Sequence, residues 1–378
     1  MEIHIPDYAK AVMNRLNAQG FGCFIVGGCL RDILLMDRTP QDWDICTSAK
    51  PEQIRDCFAD RKTSDVGIRH GTVGILWDGA WVEVTTYRID GDYRDGRHPD
   101  RVVFTEDLWA DLARRDFTMN AMAWHPSTGL VDPFRGQEAI AERRISTVGD
   151  PKKRFAEDGL RILRALRFAS VLGFTIDEKT LEGIEAEKDR LLLLSPERVN
   201  GEFSRLIMGD CADEVLCRFS PVLRIVLPEM EETELKKLPA NLPIRLSRLF
   251  PKGTEAVLRR LRYDRETIRL SAALARLNGL TAPEGKREIK EFLRSEGIET
   301  AKLYFAAEGR SSELKKILSS GECWSVSQLS VTGKDLIDNG FSPGPEIGRI
   351  LDCLLDRVIA GELKNQKEAL LSAVRGEE

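Results

Sequence analysis

Two aspartates separated by a single residue, Asp42 and Asp44, are well suited to binding a metal ion. We predict that the segment D-W-D-I-C around them is extended, and residues two apart in a strand project from the same face. Neighbouring carboxylates repel each other unless a cation lies close to both. Mg²⁺ is commonly bound by one or two carboxylates together with substrate phosphates. The pair therefore predicts a Mg²⁺ site, although a D-x-D pattern on its own is more often a solvated loop.

A pair of glycines upstream of the aspartates is suited to receiving a phosphate. Gly27 and Gly28 follow a predicted strand, 22–26, and precede a helix predicted from Cys29 to about residue 36. Without side chains, their backbone amides can approach a phosphate closely at a helix start. Arg31 follows on the first turn of that helix. The segment therefore predicts a phosphate site.

A third acidic residue, Glu83, lies in an alternating segment that is predicted to be a strand, 81–88. Val82 and Val84 project from one face of this strand, and Glu83 projects from the other. Glu83 is either a third carboxylate at the metal site or an ordinary solvent-facing strand residue. The pattern does not favour one interpretation over the other.

Three arginines recur at helical spacing in the strongly periodic segment 154–172, which is predicted to be one helix ending at Gly173. At about 100° per residue, Arg161, Arg164 and Arg167 lie along one side, and apolar residues occupy the opposite side. A row of like charges is unfavourable unless an anion lies against it. Because arginine binds phosphate oxygens in a bidentate manner, a triphosphate fits this row.

Asp158 and Arg161 offer a hydrogen-bond acceptor and several donors one helical turn apart, which suits the edge of a nucleobase. The competing interpretation is a solvated helix face with i,i+4 ion pairs such as Glu157 to Arg161. Such pairs are worth only about 0.2–0.5 kcal/mol.

The elements that must position these residues change character near residue 150. Before it, strands are predicted at 22–26, 72–77 and 81–88, and a helix at Pro51 with Ser48 as its capping residue. After it, almost no strand pattern occurs. The predicted helices there cover 154–172, a segment starting at Ser195, 211–219, 254–262, 264–278, 284–296 and 344–361. The sequence thus predicts an α/β head followed by an all-α remainder.

Length and composition limit the class of protein. The chain has 378 residues, of which 42% are hydrophobic and 31% charged, and this predicts a globular protein of two or three domains. No apolar run is long enough to span a membrane, and the N-terminus lacks a signal-peptide pattern. Eight cysteines without a C-x-x-C motif disfavour a zinc site and favour the cytoplasm. A net charge of −5 means that a nucleic-acid partner must be held by local basic patches.

Four motifs in order resemble one enzyme family. Residues 24–47 are similar to the opening signature of the nucleotidyltransferases that include class II tRNA nucleotidyltransferases (CCA-adding enzymes) and bacterial poly(A) polymerases. Residues 114–123 (RRDFTMNAMA) resemble the family's ribose-recognition motif, and 131–136 (VDPFRG) its short linking motif. Residues 157–161 (EDGLR) resemble its base-selecting segment. The segment 195–203 is also family-like, although it is less diagnostic.

This resemblance implies addition of C, C and A to the tRNA 3′ end from CTP and ATP without a nucleic-acid template. It implies that Asp158 and Arg161 select the base, whereas Arg115 and its neighbours contact phosphate and ribose. The expected catalytic residues are Asp42, Asp44 and Glu83, with Asp42 and Asp44 as Mg²⁺ ligands. The expected nucleotide-binding residues are Gly27, Gly28, Arg31, Asp32, Arg115, Asp116, Asn120, Glu157, Asp158, Arg161, Arg164 and Arg167.

The resemblance also implies a domain order. It comprises an α/β nucleotidyltransferase head at 1–140, a helical nucleotide-recognition neck at 141–210, a helical body at 211–300 and a tRNA-binding tail at 301–378. The polar, glycine-containing segment 90–100 is expected to be a mobile loop. In the family, a loop at this place is associated with addition of the terminal A, and its full length here favours competence in that step.

Four alternatives remain at this stage. The chemistry is shared by a poly(A) polymerase and by partial enzymes that add only CC or only A. It is also shared by small-molecule nucleotidyltransferases, which do not need some 200 helical residues. A non-catalytic RNA-binding protein would not need the intact Asp42 and Asp44.

Overall fold

The computed structural model describes residues 3–35, 40, 42–91 and 102–376. The predicted helix end at Met36 and residues 92–100 of the predicted loop lie outside the described residues. The chain divides into two compact units, Met1–Pro228 and Glu229–Glu378.

The first unit contains the strands and roughly half of the helices. Its strands are β1 Cys23–Val26, β2 Asp44–Thr47, β3 Thr63–Ser64, β4 Thr72–Trp77, β5 Ala80–Thr86, β6 Arg88–Asp90, β7 Val102–Phe104, β8 Ala123–His125, β9 Gly129–Val131, β10 Arg144–Ile145 and β11 Thr175–Ile176. Its helices are α1 Asp7–Ala18, α2 Gly28–Leu34, α3 Pro51–Cys57, α4 Leu108–Ala113, α5 Gly136–Ala141, α6 Pro151–Glu157, α7 Leu160–Leu172, α8 Glu178–Glu187, α9 Pro196–Ile207 and α10 Ala212–Leu223.

The described part of the second unit is helical and buries two apolar clusters of its own. Its helices are α11 Leu242–Leu249, α12 Thr254–Arg260, α13 Arg265–Leu277, α14 Gly285–Glu296, α15 Ile298–Ala307, α16 Ser311–Ser319, α17 Gly333–Asp338, α18 Pro345–Ala360 and α19 Lys367–Arg375. The predicted α/β head followed by a mostly helical remainder is confirmed. None of the helices that the described residues form combines the length and the apolar character required to cross a membrane.

A seven-stranded mixed sheet in the order β3-β4-β5-β2-β1-β8-β9 organises the first unit. β2 pairs in parallel with β5, whereas β1 pairs antiparallel with β2. In the β2–β5 register, Asp44 is the direct partner of Glu83. Residues paired in this way lie on the same face of a sheet. The sheet therefore places these two carboxylates side by side, although they are far apart in sequence.

The predicted strands are confirmed to within a few residues. Strand 22–26 corresponds to β1, strand 72–77 to β4, and strand 81–88 to β5 with the start of β6. Val82 and Val84 are fully buried, whereas Glu83 is exposed on the opposite face, as the alternation predicts.

The predicted cap of α3 is wrong. Lys50 is the N-cap residue, and its backbone N–H donates to the side-chain oxygen of Gln53 at 2.9 Å. Ser48 instead accepts a hydrogen bond from the backbone N–H of Gly22 at 3.0 Å. Ser48 lies too far ahead of Pro51 to reach the first turn, so it connects the ends of β1 and β2.

The predicted single helix 154–172 is also wrong, because it is broken into α6 and α7. Asp158 adopts an extended conformation (φ −151°, ψ 106°), and its carboxylate accepts the backbone N–H of Leu160 at 3.0 Å. A Cβ atom at Gly159 would lie 2.9 Å from the carbonyl oxygen of Arg190, so this position requires glycine. The predicted end of α7 at Gly173, in a left-handed conformation, is confirmed.

Helices α7 and α9 approach each other closely where Gly209 follows α9. A Cβ atom there would lie 2.6 Å from backbone atoms of Ser170. Gly201 is an exposed position within α9, with no atom near its Cβ direction. A side chain at Gly209 would therefore meet α7, whereas a side chain at Gly201 would meet open space, and the two positions can be compared by mutation.

We predict that Gly209→Ala lowers the free energy of unfolding by about 1–3 kcal/mol through overpacking. Gly201→Ala should raise it by roughly 0.5–1 kcal/mol, because alanine favours a helix interior. Urea denaturation of both variants and the wild type measures the difference. Equal stability of the two variants would contradict the close contact between α7 and α9.

Candidate active site

The first unit contains a cavity of about 1070 Å³ that is open at the end of the sheet. Its walls come from β1, β2 and β5, from the segment that follows α4, and from α7 and α9. It brings together most of the predicted site residues, namely Gly27, Gly28, Arg31, Asp44, Glu83, Arg115, Asp116, Asn120, Asp158, Arg161, Arg164 and Arg167. Asp32, Asp42 and Glu157 do not line it.

The carboxylates of this cavity carry an electrostatic cost. Burial raises the pKa of Asp44, and the charge of Glu83 raises it further. Arg115 acts in the opposite direction, and Asp42 adds a smaller upward effect. Asp42 is exposed and precedes β2, so the two-residue strand alternation does not extend to it.

The donor set at this place suits a hard divalent cation. Among the described residues, no group of three or more His, Cys, Asp or Glu side chains forms a ready-made metal cage. A cation that takes one or two carboxylates and completes its ligands with phosphate oxygens does not require such a cage. Burial and the charge of Glu83 raise the pKa of Asp44 against the effect of Arg115, so a cation near both carboxylates would stabilise their charged forms. The residues present therefore fit a divalent ion.

Gly27 leaves the space next to Asp44 open. It has a φ of 82°, which side chains of L-residues rarely allow. A Cβ atom at this position would lie 3.4 Å from both the Arg115 guanidinium and a carboxylate oxygen of Asp44. The glycine thus permits a guanidinium and a carboxylate to meet over the β1–α2 turn.

Arg115 is held in place by Asp111, which the sequence patterns did not indicate. Asp111 on α4 is fully buried and accepts from Arg115 at 3.2 Å and from Arg114 at 3.0 Å. The backbone N–H of Arg88 donates to the same carboxylate at 3.2 Å. The i,i+4 spacing of Asp111 and Arg115 is the signal that could have identified this pair.

Arg31 is oriented by neighbours from two other elements. It donates to the side-chain oxygen of Asn120 at 2.8 Å and to Asp32 at 2.8 and 3.0 Å. Its guanidinium lies 5.0 Å from the centre of the Phe168 ring on α7. Asp32 therefore helps to orient Arg31, although Asp32 itself does not line the cavity.

The arginines of α7 face carboxylates of the chain itself. Arg164 donates to Asp116 at 2.6 and 2.7 Å, and Arg167 lies 3.1 Å from Glu202 on α9. Burial alone would raise the pKa of Asp116, but Arg164 and the Asn120 amide lower it to about 2. Burial lowers the pKa of Arg167 to about 10, against the opposing effect of Glu202. The row of positive charge is thus compensated without a ligand.

Asp158 and Arg161 have different partners instead of pairing with each other. Arg161 contacts Glu157 and donates to the carbonyl oxygens of Arg154 at 3.0 Å and Arg114 at 3.1 Å. Both carboxylate oxygens of Asp158 accept from Arg198 on α9, at 3.0 and 2.7 Å. Glu157, which does not line the cavity, contacts both Arg154 and Arg161.

Several cavity residues were not predicted individually. The family-like segment 195–203 contains two of them, so the resemblance was the signal that could have identified these. Arg114 lies in the motif 114–123, which the resemblance also covers, whereas no sequence pattern indicated Arg88 or Arg205. The residues concerned are Arg88, Arg114, Arg198, Glu202 and Arg205, of which Glu202 contacts the cavity arginine Arg167 and the rest line the cavity.

Comparison with protein families gives three matches in chain order. Residues 23–146 match the family described as Poly A polymerase head domain. Residues 173–233 match a probable RNA- and SrmB-binding site of polymerase A, and residues 251–374 match a putative tRNA nucleotidyltransferase domain 2. These matches cover both compact units.

Named relatives align along nearly the whole chain. A CCA-adding enzyme of Lactococcus lactis subsp. cremoris (strain MG1363) is 34% identical, with 97% of this chain and 95% of the relative covered. A CCA-adding enzyme of Geobacillus thermodenitrificans is 36% identical over 97% of this chain and 96% of the relative. The crystal structure of a Bacillus stearothermophilus CCA-adding enzyme in complex with CTP superposes with a TM-score of 0.83. It is 31% identical and covers 98% of this chain and 96% of that chain.

We predict that Asp44→Asn stabilises the metal-free protein. The pKa of Asp44 is raised above 3.8 on folding, so the unfolded chain ionises first as the pH rises. The folded state therefore loses stability as the pH rises from 3.8 through the folded-state pKa, and the full cost is present above that pKa. Removing the charge should raise the thermal midpoint at pH 7 in the presence of a chelator.

Binding of a divalent cation should reverse this difference in stability between Asp44→Asn and the wild type. Added Mg²⁺ should raise the midpoint of the wild type and leave that of Asp44→Asn almost unchanged. Asp56→Asn, which removes an exposed carboxylate from α3, is the matched control and should not alter the Mg²⁺ response. An Asp44→Asn variant less stable than the wild type in chelator would contradict the electrostatic account.

Proposed function

The chain belongs to the CCA-adding enzyme family, and on that premise we propose how its residues carry out the reaction. It is a nucleotidyltransferase that adds C, C and A to the 3′ end of tRNA from CTP and ATP, without a nucleic-acid template. The observation that carries the proposal is one cavity that joins paired carboxylates to a wall of arginines. No protein nucleophile is needed, because the RNA 3′-hydroxyl attacks the α-phosphate of the nucleotide.

We propose that Asp42 and Asp44 hold Mg²⁺ and that Glu83 assists. The β2–β5 register and the raised pKa of Asp44 support this assignment. When bound, the ion would lower the pKa of the 3′-hydroxyl and neutralise charge on the leaving pyrophosphate. Asp42, being exposed, would join Asp44 from the solvent side of the site.

Arginines and glycines would bind the triphosphate. The Arg164 side chain is 32% exposed. Its Nη1 atom lies 3.9 Å from Glu202, which is beyond hydrogen-bond distance, so this atom can donate to a ligand in the cavity. Arg31 and Arg167 would bind phosphate oxygens, and both guanidinium groups contact the Phe168 ring, at 5.0 and 4.1 Å from its centre. Gly27 and Gly28 would allow close approach of the phosphates. Asp116 and Asn120, which hydrogen-bond to each other, would contact the ribose together with Arg115.

Asp158 and Arg161 would read the base. The amino group that C and A share would donate to the Asp158 carboxylate, whose side chain is 16% exposed. Arg161 uses its two terminal nitrogens for three contacts within the chain. Of its five N–H groups, Nε–H and one terminal N–H remain for a base acceptor. Glu157 would act indirectly by holding Arg161.

We also propose a domain order and a cytoplasmic location. The proposed order is a head at 1–140, a neck at 141–210, a body at 211–300 and a tRNA-binding tail at 301–378. The succession of the family matches at 23–146, 173–233 and 251–374 supports a head followed by RNA-binding segments, although these matches cross the proposed boundaries. The eight cysteines are all free thiols, a state that a reducing cytoplasm maintains.

A poly(A) polymerase is the second candidate function, because the family matched by residues 23–146 is described by that name. The two functions differ in what limits the product. A CCA-adding enzyme stops after one A, whereas a poly(A) polymerase continues while ATP is present.

We predict that the purified protein adds CC from CTP alone, and CCA from CTP with ATP, to tRNA lacking its 3′ end. Products resolved to single nucleotides measure this. Asp42→Ala and Asp44→Ala should give no product while remaining folded, because the site loses its metal ligands. Repeated addition of A would favour the polymerase. Absence of any product from the wild type would favour a non-catalytic RNA-binding protein.

We predict that base selection and phosphate binding are separable by mutation. Asp158→Ala and Arg161→Ala should let UTP or GTP compete, because loss of a base contact can remove several kcal/mol of discrimination. Arg164→Ala and Arg167→Ala should weaken all four nucleotides about equally, since their triphosphates are identical. Incorporation of each nucleotide alone tests this. An Asp158→Ala enzyme with full selectivity would remove Asp158 from base recognition.

A further inference from the structure

One contact in the cavity joins the proposed base reader to a helix that is distant in sequence. Arg198, on the first turn of α9, donates through both terminal nitrogens to the two carboxylate oxygens of Asp158, at 3.0 and 2.7 Å. Both side chains are mostly buried, with 19% and 16% of their surfaces exposed, and both line the cavity. A bidentate pair of this kind fixes the carboxylate plane as well as its position.

Asp158 needs such support because its backbone lies outside regular structure. The break between α6 and α7 leaves it in an extended conformation, without the packing of a helix interior. Its carboxylate also accepts a hydrogen bond from the backbone N–H of Leu160 to Oδ1 at 3.0 Å. Three donors thus occupy three of about four acceptor sites that a carboxylate offers. One acceptor site is left for a ligand in the cavity.

We propose that Arg198 is a positioning residue that sets nucleotide selectivity by fixing the orientation of Asp158. This inference depends on the proposed function, in which Asp158 accepts the amino group of C or A. With Arg198 in place, the single remaining acceptor site has one direction, and a base presenting an acceptor there leaves a buried polar group unpaired. Without Arg198, the carboxylate can rotate about its Cβ–Cγ bond and loses that directional preference.

A direct contact with phosphate is the competing role for Arg198, and it makes a different prediction. An arginine that contacts phosphate would change binding of all nucleotides by the same factor. An arginine that acts only through Asp158 would change the ratio between nucleotides, and its effect would vanish once Asp158 is removed. A double-mutant cycle therefore separates the two roles.

The test compares kcat/KM for CTP with that for UTP on tRNA lacking CCA, in the wild type, Arg198→Ala, Asp158→Ala and the double variant. We expect Arg198→Ala to reduce the CTP-to-UTP ratio by about tenfold or more, mainly through kcat/KM for CTP. In the Asp158→Ala background, Arg198→Ala should leave the ratio unchanged. Arg198→Lys should restore only part of the selectivity, because an ammonium group cannot bond both oxygens in a fork.

Arg205→Ala is the matched control, because Arg205 lies two turns further along α9 and lines the same cavity. It should not change the ratio. Thermal melting of each variant shows whether it is folded. If Arg198→Ala does not fold, the ratio is measured in Arg198→Lys instead.

An unchanged ratio in folded Arg198→Ala or Arg198→Lys would overturn the inference and leave the proposed function intact. A further fall in the ratio on adding Arg198→Ala to Asp158→Ala would also overturn it. Full selectivity in Asp158→Ala would refute the proposed base reader, and the inference with it. Absence of incorporation by the wild type would refute the proposed function itself.

Discussion

The electrostatic cost of placing carboxylates on the neighbouring strands β2 and β5, through burial and mutual repulsion, is the constraint on which the rest of the cavity depends. Asp44 and Glu83 are direct partners on neighbouring parallel strands, and Asp44 is partly buried. The guanidinium of Arg115 opposes the effects that raise the pKa of Asp44. That guanidinium is itself mostly buried and is held by the fully buried Asp111. A chain of alternating charges therefore supports the site, and its end nearest the cavity keeps an excess of negative charge.

The wall of the cavity formed by α7 carries positive charge, and ion pairs within the chain compensate it as well. The arginines of α7 would repel one another in a cavity of low dielectric, and Asp116, Glu157 and Glu202 compensate them. Because these pairs already exist without substrate, the guanidinium groups need little reorganisation when phosphates arrive. Breaking one pair by removing a single partner would leave a buried charge uncompensated, which is far more costly than losing an exposed ion pair. The cavity is thus organised before any ligand enters it.

The sequence predicted the parts of this arrangement that follow from local periodicity. Strand alternation correctly placed Glu83 opposite Val82 and Val84, and helical spacing brought Arg161, Arg164 and Arg167 to the cavity. The break at Asp158 could not be predicted, because the apolar pattern of α6 continues in phase into α7. Its causes are a close approach of the Arg190 backbone and hydrogen bonds of the aspartate itself, and neither is visible in the periodicity. Asp111 is different, because its spacing to Arg114 and Arg115 is local, and only its hydrogen bond from the distant Arg88 backbone lies outside any local pattern.

The break between α6 and α7 also explains how one carboxylate can serve recognition. In an uninterrupted helix, side chains tilt toward the N-terminus and lie against the preceding turn. Asp158 would then compete with Glu157 for the arginines of α6 and α7. The extended backbone at Asp158 turns its carboxylate away from that ladder and toward Arg198 on α9. Gly159 makes the turn possible, since any side chain there would meet the Arg190 carbonyl. The two-residue break between the helices therefore separates two neighbouring acids into different roles, with Glu157 contacting Arg161 and Asp158 facing the cavity.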